Sequence, residues 1–213
     1  MKTLLLIIDP QIDFISGSLP VPGAVEAMNS LSEEIRQNPE KFSDIIVTLD
    51  SHLPGHISFK SSWENPEDAP EGLDLWPDHC VVGTEGHSIY KPLLEALGVY
   101  KEKTNHPHQV ILKGNDPKNE MYSAIGSVVS GYEGGLAYTP EINNMLLGQY
   151  DIIYVAGIAR DFCVAATVDD LLRCFSSQTW GKLRLLKDYM PYIITEEPSV
   201  FREAIEAGKA IYE

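Results

Sequence analysis

Four residues with chemically useful side chains, Asp9, Asp50, Lys113 and Cys163, each stand just after an apolar run of the sequence. A cysteine thiolate attacks carbonyl carbon, a carboxylate passes protons, and an ammonium group favours the ionised states of both. Taken singly, a strand-end Asp is commonly a cap or turn residue, and a Cys is commonly a small buried apolar residue. Their joint occurrence favours nucleophilic hydrolysis.

Cys163 stands at the start of a predicted helix. A helix N-terminus and a nearby lysine both lower the pKa of a thiol, which is what a nucleophile needs, so we predict a lowered pKa for Cys163. The chain has three cysteines, which cannot all pair within it, and such sparse use does not indicate a disulfide scaffold. At least one thiol is therefore free.

A second set of polar residues follows the run that ends at Asp50. His52, His56 and His79 come after it in an irregular region, and a carboxylate with neutral imidazoles suits zinc, manganese or iron. An Asp-x-His pattern alone belongs more often to a surface loop than to a metal site. Its position after a strand at the proposed site instead favours a metal site, for which Asp50, His52, His56 and His79 are the candidate ligands.

The elements that must position these residues show a regular alternation. Five apolar runs predict buried strands over residues 4–8, 44–49, 109–112, 152–156 and 183–186. Apolar residues at helical spacing lie between runs, at Ala24, Met28, Leu31 and Ile35 and again at Val164, Val168, Leu171, Leu172 and Phe175. Alternating strands and helices predict a three-layer α/β/α fold with a parallel sheet.

The carboxyl ends of parallel strands meet at one edge of the sheet, where ligands bind. We therefore expect the four reactive residues to converge there. Residues 51–86 and 114–140 lack periodicity; the second stretch contains Gly131, Gly134 and Gly135, and the length of the first indicates a functional loop region. No domain boundary is evident, so we expect a single domain over residues 1–213.

The composition of the chain limits the classes of binding partner. The chain has 31 acidic against 16 basic residues among 213, a formal charge of -15, which repels nucleic-acid phosphates and anionic lipids. We therefore expect neither a nucleic-acid nor a membrane partner. The first apolar run is too short for a signal peptide, which predicts a cytoplasmic protein. The oligomeric state stays open, a homo-oligomer included.

Three motifs together resemble the isochorismatase-like cysteine hydrolases. These are DPQIDF at 9–14, ILKG at 111–114 and GIARDFCV at 157–164, and in order they span nearly the whole chain. The resemblance implies a catalytic triad of Asp9, Lys113 and Cys163, in which Asp9 shuttles protons and Lys113 acts through its charge. It also implies a cis peptide between Ile158 and Ala159, and an oxyanion hole formed by the N–H groups of Ala159 and Cys163.

The Asp-x-His motif with the later WPDHC at 76–80 resembles the nicotinamidase and pyrazinamidase branch. That branch binds one divalent metal ion, zinc foremost, at the positions of Asp50, His52 and His79, and it varies in whether a fourth ligand, here His56, is used. It implies a metal-dependent amidohydrolase that converts nicotinamide to nicotinate and ammonia through a thioester, in NAD salvage, and that also acts on pyrazinamide. The implied substrate pocket comprises Phe14, Trp76, Ile158, Ala159 and Phe162.

Two features depart from the family pattern: Arg160 stands where many relatives carry a small hydroxyl residue, and a Gly-rich stretch follows residues 114–125. The main alternative within the superfamily is hydrolysis of another small amide, such as a carbamoyl or ureido compound, without a metal. A phosphatase of the haloacid dehalogenase type would need a second Asp where Gln11 stands. A binding module that had lost activity would usually lack part of the triad.

Overall fold

The computed structural model describes residues 1–125, 148–174 and 181–213. Within them, the strands are β1 (Thr3–Ile8), β2 (Asp44–Asp50), β3 (Gln109–Lys113), β4 (Ile152–Gly157), β5 (Leu183–Leu185) and β6 (Ala210–Tyr212). The helices are α1 (Ile12–Ile15), α2 (Ala24–Gln37), α3 (Lys91–Thr104), α4 (Ala165–Cys174) and α5 (Ser199–Glu206).

The six strands form one sheet in the order β3-β2-β1-β4-β5-β6, and every neighbouring pair is parallel. The chain builds outward from β1 to β3 and then crosses back to β4 on the other side of β1. The order therefore reverses between β1 and β4, and the crevice at the carboxyl ends of these two strands is where an open α/β sheet binds its ligand.

Alternate side chains of β1 enter two separate cores, which makes the fold three-layered. Leu5 and Ile7 pack with α2 and α3, whereas Leu4, Leu6 and Ile8 pack with α4 and α5. Because both faces of the sheet are covered, β1 is apolar and buried along its whole length. The predicted three-layer α/β/α fold is confirmed.

The irregular region 51–86 runs along the carboxyl edge of the sheet. It contains the short 3-10 turns Lys60–Ser62 and Pro66–Asp68. Isolated β-bridges pair His52 with Val81 and Phe59 with Trp76. These bridges bring the two ends of the region, and with them the histidines, to the end of β2.

Some elements were not among those that the sequence predicted. They are α1, α3, α5 and β6, of which β6 has only three residues. Phe175 and the glycines Gly131, Gly134 and Gly135 lie outside the described residues. Of the helices in the described part of the chain, none is both long and apolar enough to cross a membrane.

Candidate active site

Lys113 lies between the two other residues of the predicted triad. Its Nζ is 2.9 Å from Oδ2 of Asp9 and donates a hydrogen bond of 3.4 Å to Sγ of Cys163. Nζ also donates to the backbone carbonyl of Met121 at 3.2 Å. The ends of β1 and β3 and the turn after β4 thus deliver an acid, an ammonium group and a thiol to one buried point.

The carboxylate of Asp9 is oriented by the neighbouring strand. Thr48, on β2, donates from Oγ1 to Oδ1 of Asp9 at 2.6 Å, and Thr48 also accepts the backbone N–H of Asp9. Asp9 has a φ of 46°, a left-handed conformation that few non-glycine residues adopt. These contacts hold Asp9 Oδ2 toward Lys113.

The buried charges set the protonation states of the triad. Burial opposes the charge of Lys113, but the carboxylates of Asp50 and Asp9 outweigh it and raise its pKa well above the ordinary value. Burial also raises the pKa of Asp9, and Lys113 opposes that change. Lys113 therefore stays an ammonium ion, as an electrostatic partner should, while Asp9 is suited to take up a proton.

The predicted lowering of the Cys163 pKa is wrong for this structure. The thiol is buried, with 5% of its surface exposed, and burial raises its pKa well above the ordinary value. Lys113 does lower the pKa, but the charges of Asp9 and Asp50 add to the effect of burial. The resting group is thus a neutral thiol that must lose a proton during attack.

The turn between β4 and α4 presents the backbone beside Cys163. The peptide between Ile158 and Ala159 is cis, and a π-helical turn, Arg160–Val164, leads into α4. The N–H groups of Ile158 and Arg160 donate to the carbonyls of Ile8 and Pro191, whereas the N–H of Ala159 has no acceptor within the described residues. An unengaged N–H next to the thiol is what an oxyanion hole requires.

The predicted metal ligands come together directly beside the triad. Oδ2 of Asp50 lies 3.0 Å from Nε2 of His52 and 3.8 Å from Nε2 of His79. All three side chains are buried, and within the described residues Nε2 of His52 has no hydrogen-bond partner. One carboxylate and two imidazoles, with ligand atoms within 4.8 Å of one another, fit a divalent cation.

Backbone carbonyls fix the tautomers of both histidines. Nδ1 of His52 lies 2.9 Å from the carbonyl of Gly114, and Nδ1 of His79 lies 2.7 Å from that of Pro77. Because a carbonyl only accepts, each Nδ1 carries a proton, and Nε2 is the atom that each ring would offer to a metal ion. Gly114 has a φ of +66°, and a Cβ there would collide with the side chains of Asp50 and His52.

His56 lies next to this group but is already engaged. The centroid of its ring lies 3.9 Å from that of His52, and the two rings are tilted to each other. Its Nε2 donates to the carbonyl of Asn119 at 3.1 Å, and its Nδ1 accepts from Oγ of Ser58 at 2.8 Å. Burial and the charge of His52 lower its pKa to about 4, so His56 is neutral. Both ring nitrogens thus have partners, and the ligand atoms of His56 lie near those of His52 and Glu120, in a group separate from that of Asp50, His52 and His79.

A small pocket opens beside the triad and the metal ligands. Cys163, Asp50 and His79 are its polar lining residues, and the apolar ones are Phe14, Leu19, Trp76, Tyr122, Ala159, Phe162 and Ile193. Trp76 and Phe162 meet edge to face with centroids 5.0 Å apart, and Nε1 of Trp76 donates to the hydroxyl of Tyr122 at 3.0 Å. Flat apolar walls with few polar groups suit a small aromatic ligand.

Most of the predicted pocket residues line this pocket, but Ile158 does not. Its side chain is fully buried in the core on the α2 side, so only its backbone lies near the site. Tyr122 was missed, although it belongs to the irregular stretch after Lys113. Gln11 was missed as a support: its side-chain amide exchanges two hydrogen bonds of 2.7 Å with the backbone of Asp50.

Arg160, the departure from the family pattern, points away from the pocket. Its guanidinium donates to the backbone carbonyls of Lys187 (2.5 Å) and Glu196 (2.9 Å), and it lies over the ring of Tyr192. The adjacent Asp161 accepts three successive backbone N–H groups, those of residues 193–195. Arg160 and Asp161 therefore anchor the loop that contributes Ile193 to the pocket. The Gly-rich stretch lies in residues 126–147, outside those described.

Known nicotinamidases and a known pyrazinamidase are similar to this chain. A nicotinamidase of Acinetobacter baylyi is 33% identical over 174 residues, which cover 78% of this chain and 72% of that protein. A nicotinamidase of Saccharomyces cerevisiae is 29% identical, and the aligned region covers 99% of this chain and 96% of that protein. The solved pyrazinamidase of Pyrococcus horikoshii in complex with zinc superposes with a TM-score of 0.66 at 26% identity, covering 100% of this chain and 99% of that one.

No family model matches the chain. The similarity to the Acinetobacter enzyme nonetheless extends over more than two thirds of both chains, and Lys113 contacts Cys163 beside a group of residues that could hold a metal ion. The chain therefore belongs to the nicotinamidase and pyrazinamidase branch of the isochorismatase-like cysteine hydrolases.

Proposed function

We propose that this enzyme hydrolyses nicotinamide to nicotinate and ammonia, and pyrazinamide in the same way. The observation that carries the proposal is the position of Lys113, in contact with both Asp9 and Cys163 beside a small aromatic pocket. The relatives named nicotinamidase and nicotinamidase/pyrazinamidase support the same substrates.

Each step of the reaction has a residue to carry it. Asp9 takes the proton from Cys163 as the sulfur bonds to the amide carbon, and the N–H groups of Ala159 and Cys163 stabilise the oxyanion. Asp9 then passes the proton to the departing nitrogen, ammonia leaves, and a thioester remains. Asp9 next activates a water that hydrolyses the thioester and regenerates the thiol. Lys113 stays protonated throughout and offsets the negative charge on its neighbours.

Asp50, His52 and His79 would hold the metal ion at the side of the pocket lined by Asp50 and His79. When bound, the ion supplies a polar partner for the ring nitrogen of the substrate, and this orients the ring so that its amide faces Cys163. We propose zinc as the ion, with manganese and iron as the alternatives, because the donor set suits all three. The zinc complex of the Pyrococcus pyrazinamidase supports zinc.

Phe14, Trp76 and Phe162 would provide the flat walls for the ring. A role in NAD salvage, a cytoplasmic location and a single domain over residues 1–213 belong to the same proposal. The other candidate function, hydrolysis of a carbamoyl or ureido compound without a metal, leaves the buried cluster of Asp50, His52 and His79 without a purpose.

Ammonia release from a panel of amides tests the proposal. The purified enzyme should act on nicotinamide and pyrazinamide far faster than on benzamide or carbamoyl compounds, and metal analysis of the same sample should find a divalent ion. A preference for the carbamoyl compounds in metal-free protein would overturn the assignment of both substrate and metal.

A further inference from the structure

Segment 191–196 forms one wall of the pocket, although it belongs to no helix or strand. It lies between β5 and α5 and contributes Ile193 to the pocket lining. The side chains on either side of it, Tyr192 and Ile194, are 39% and 75% exposed, so Ile193 is the residue of the three that faces inward. The shape of the pocket on this side therefore depends on what holds an irregular segment in place.

The carboxylate of Asp161 binds the backbone of this segment directly. Oδ1 accepts the N–H of Ile193 at 3.0 Å, and Oδ2 accepts those of Ile194 at 2.6 Å and Thr195 at 2.9 Å. Hydrogen bonds to an ionised acceptor are shorter and stronger than those between neutral groups. Because three successive N–H groups converge on one carboxylate, the position of Ile193 is fixed relative to that of Asp161.

Arg160 contacts the two ends of the same segment. Its backbone N–H donates to the carbonyl of Pro191 at 2.8 Å, and its guanidinium donates to that of Glu196 at 2.9 Å. Within the described part of the chain, the backbone of segment 191–196 forms hydrogen bonds with no residue outside the segment other than Arg160 and Asp161. No ladder of a helix or sheet would therefore keep Ile193 in place if the contacts of Asp161 were lost.

Asp161 also belongs to the turn that carries the reactive thiol. It lies in the π-helical turn Arg160–Val164, where the next residue, Phe162, lines the pocket and Cys163 follows. Asp161 thus joins the wall made by Phe162 to the wall made by Ile193. We propose that Asp161 is a positioning residue that keeps Ile193 in the pocket wall and so restricts the substrates to small heteroaromatic amides without ring substituents.

The inference rests on the proposed function in taking nicotinamide as the substrate. Asp161→Asn keeps the size of the side chain, but its amide has one acceptor oxygen in place of two, so at least one of the three hydrogen bonds is lost. Asp188→Asn is the matched control, because Asp188 is an exposed carboxylate earlier in the same loop that accepts none of these N–H groups. Ile193→Ala widens the wall directly.

The test compares kcat/KM for nicotinamide with kcat/KM for analogues that carry one methyl group on a ring carbon. For the analogue whose methyl group meets Ile193, the unmodified enzyme and Asp188→Asn should prefer nicotinamide by ~10- to 200-fold, the usual discrimination of an apolar pocket against one added carbon. Asp161→Asn and Ile193→Ala should each lose most of that preference. The double variant should lose little more than either single one, because Asp161 acts through Ile193.

Three results would overturn the proposal. One is an unmodified enzyme that accepts every methylated analogue as well as nicotinamide, and another is a preference in Asp161→Asn that equals that of the unmodified enzyme or of Asp188→Asn. The third is a double variant in which the two losses add, because Asp161 would then support the fold independently of Ile193. Failure of the proposed function looks different, since the unmodified enzyme would release no ammonia from nicotinamide.

Backbone hydrogen exchange tests the contacts of Asp161 without any substrate. The N–H groups of residues 193–195 should be protected from exchange in the unmodified enzyme and in Asp188→Asn, and they should lose that protection in Asp161→Asn. Unprotected N–H groups at these positions in the unmodified enzyme would contradict the proposal, so this measurement decides even where Asp161→Asn does not fold. Unchanged protection in a folded Asp161→Asn would contradict it as well.

Discussion

The ammonium nitrogen of Lys113 lies 3.2 Å from Oδ1 of Asp50, so one carboxylate links the triad to the metal ligands. Oδ2 of the same Asp50 faces His52 and His79. Burial opposes the ionisation of Asp50, but the charges of His52 and Lys113 hold its pKa well below the ordinary value. The charge of Asp50 therefore acts on the predicted triad and on the predicted metal ligands together.

Asp50→Asn should damage both functions at once. The amide is a poor metal ligand and no longer compensates Lys113, so we expect at least ~10- to 100-fold weaker zinc binding and a kcat that saturating zinc does not restore. The exposed Asp78→Asn is the control for loss of charge alone. Full recovery of kcat on addition of zinc would show that Asp50 serves the metal only.

Asp9→Asn should lower kcat by ~10²- to 10⁴-fold, the usual contribution of a general acid-base group. The amide fills the same space but cannot carry the proton between Cys163, the leaving nitrogen and water. Binding of nicotinate, measured by calorimetry, should be nearly unchanged because Asp9 does not line the pocket. A kcat close to that of the unmodified enzyme would make Asp9 a structural strand-end residue.

The raised pKa of Cys163 predicts a particular pH dependence of its alkylation. The measurement uses metal-free protein, so that only protein groups influence the thiol. The rate of Cys163 alkylation by iodoacetamide should still rise as the pH passes 9.0, the ordinary pKa of a thiol, because the thiolate fraction is still growing. Lys113→Met removes a positive charge that lowers this pKa, so the rate at a fixed pH should fall. Mass spectrometry of the Cys163 peptide measures both rates. A rate that levels off below the ordinary thiol pKa would indicate a preformed thiolate.

The metal should determine the preference for nicotinamide over benzamide, which has a C–H in place of the ring nitrogen. A site built around a polar partner penalises the analogue that leaves it unpaired, so kcat/KM should differ by more than the ~10- to 200-fold typical of a missing methylene. His52→Ala and chelation should each remove much of that preference, and His106→Ala, in an exposed loop, should not. An unchanged preference in all of these proteins would remove the metal from substrate recognition.

The sequence was sufficient for the fold class, because β1 and β4 are continuous apolar runs that only a sheet covered on both faces can bury. It also predicted which strands bring Asp9, Asp50 and Lys113 to one edge. The triad and ligand roles of these residues remain predictions that the experiments above test.

Sequence reasoning failed where the outcome depended on contacts between irregular segments. Glu120 and Tyr122 reach the site from a stretch without periodicity, so no pattern marks their side chains as buried beside His52 and Trp76. The pKa of Cys163 was predicted in the wrong direction, since burial depends on surroundings that a local motif does not contain. Ile158 was assigned to the pocket from its motif, but its side chain turns into the core.

The most direct test of the central claim, that Cys163 is the nucleophile of an amidohydrolase, compares two buried cysteines. Cys163→Ala and Cys80→Ala each remove one buried thiol, but only Cys163 contacts Lys113. Ammonia release from nicotinamide should be abolished in Cys163→Ala, with its circular dichroism and thermal unfolding intact, and should persist in Cys80→Ala. Ammonia release by folded Cys163→Ala at a rate near that of the unmodified enzyme would contradict the account.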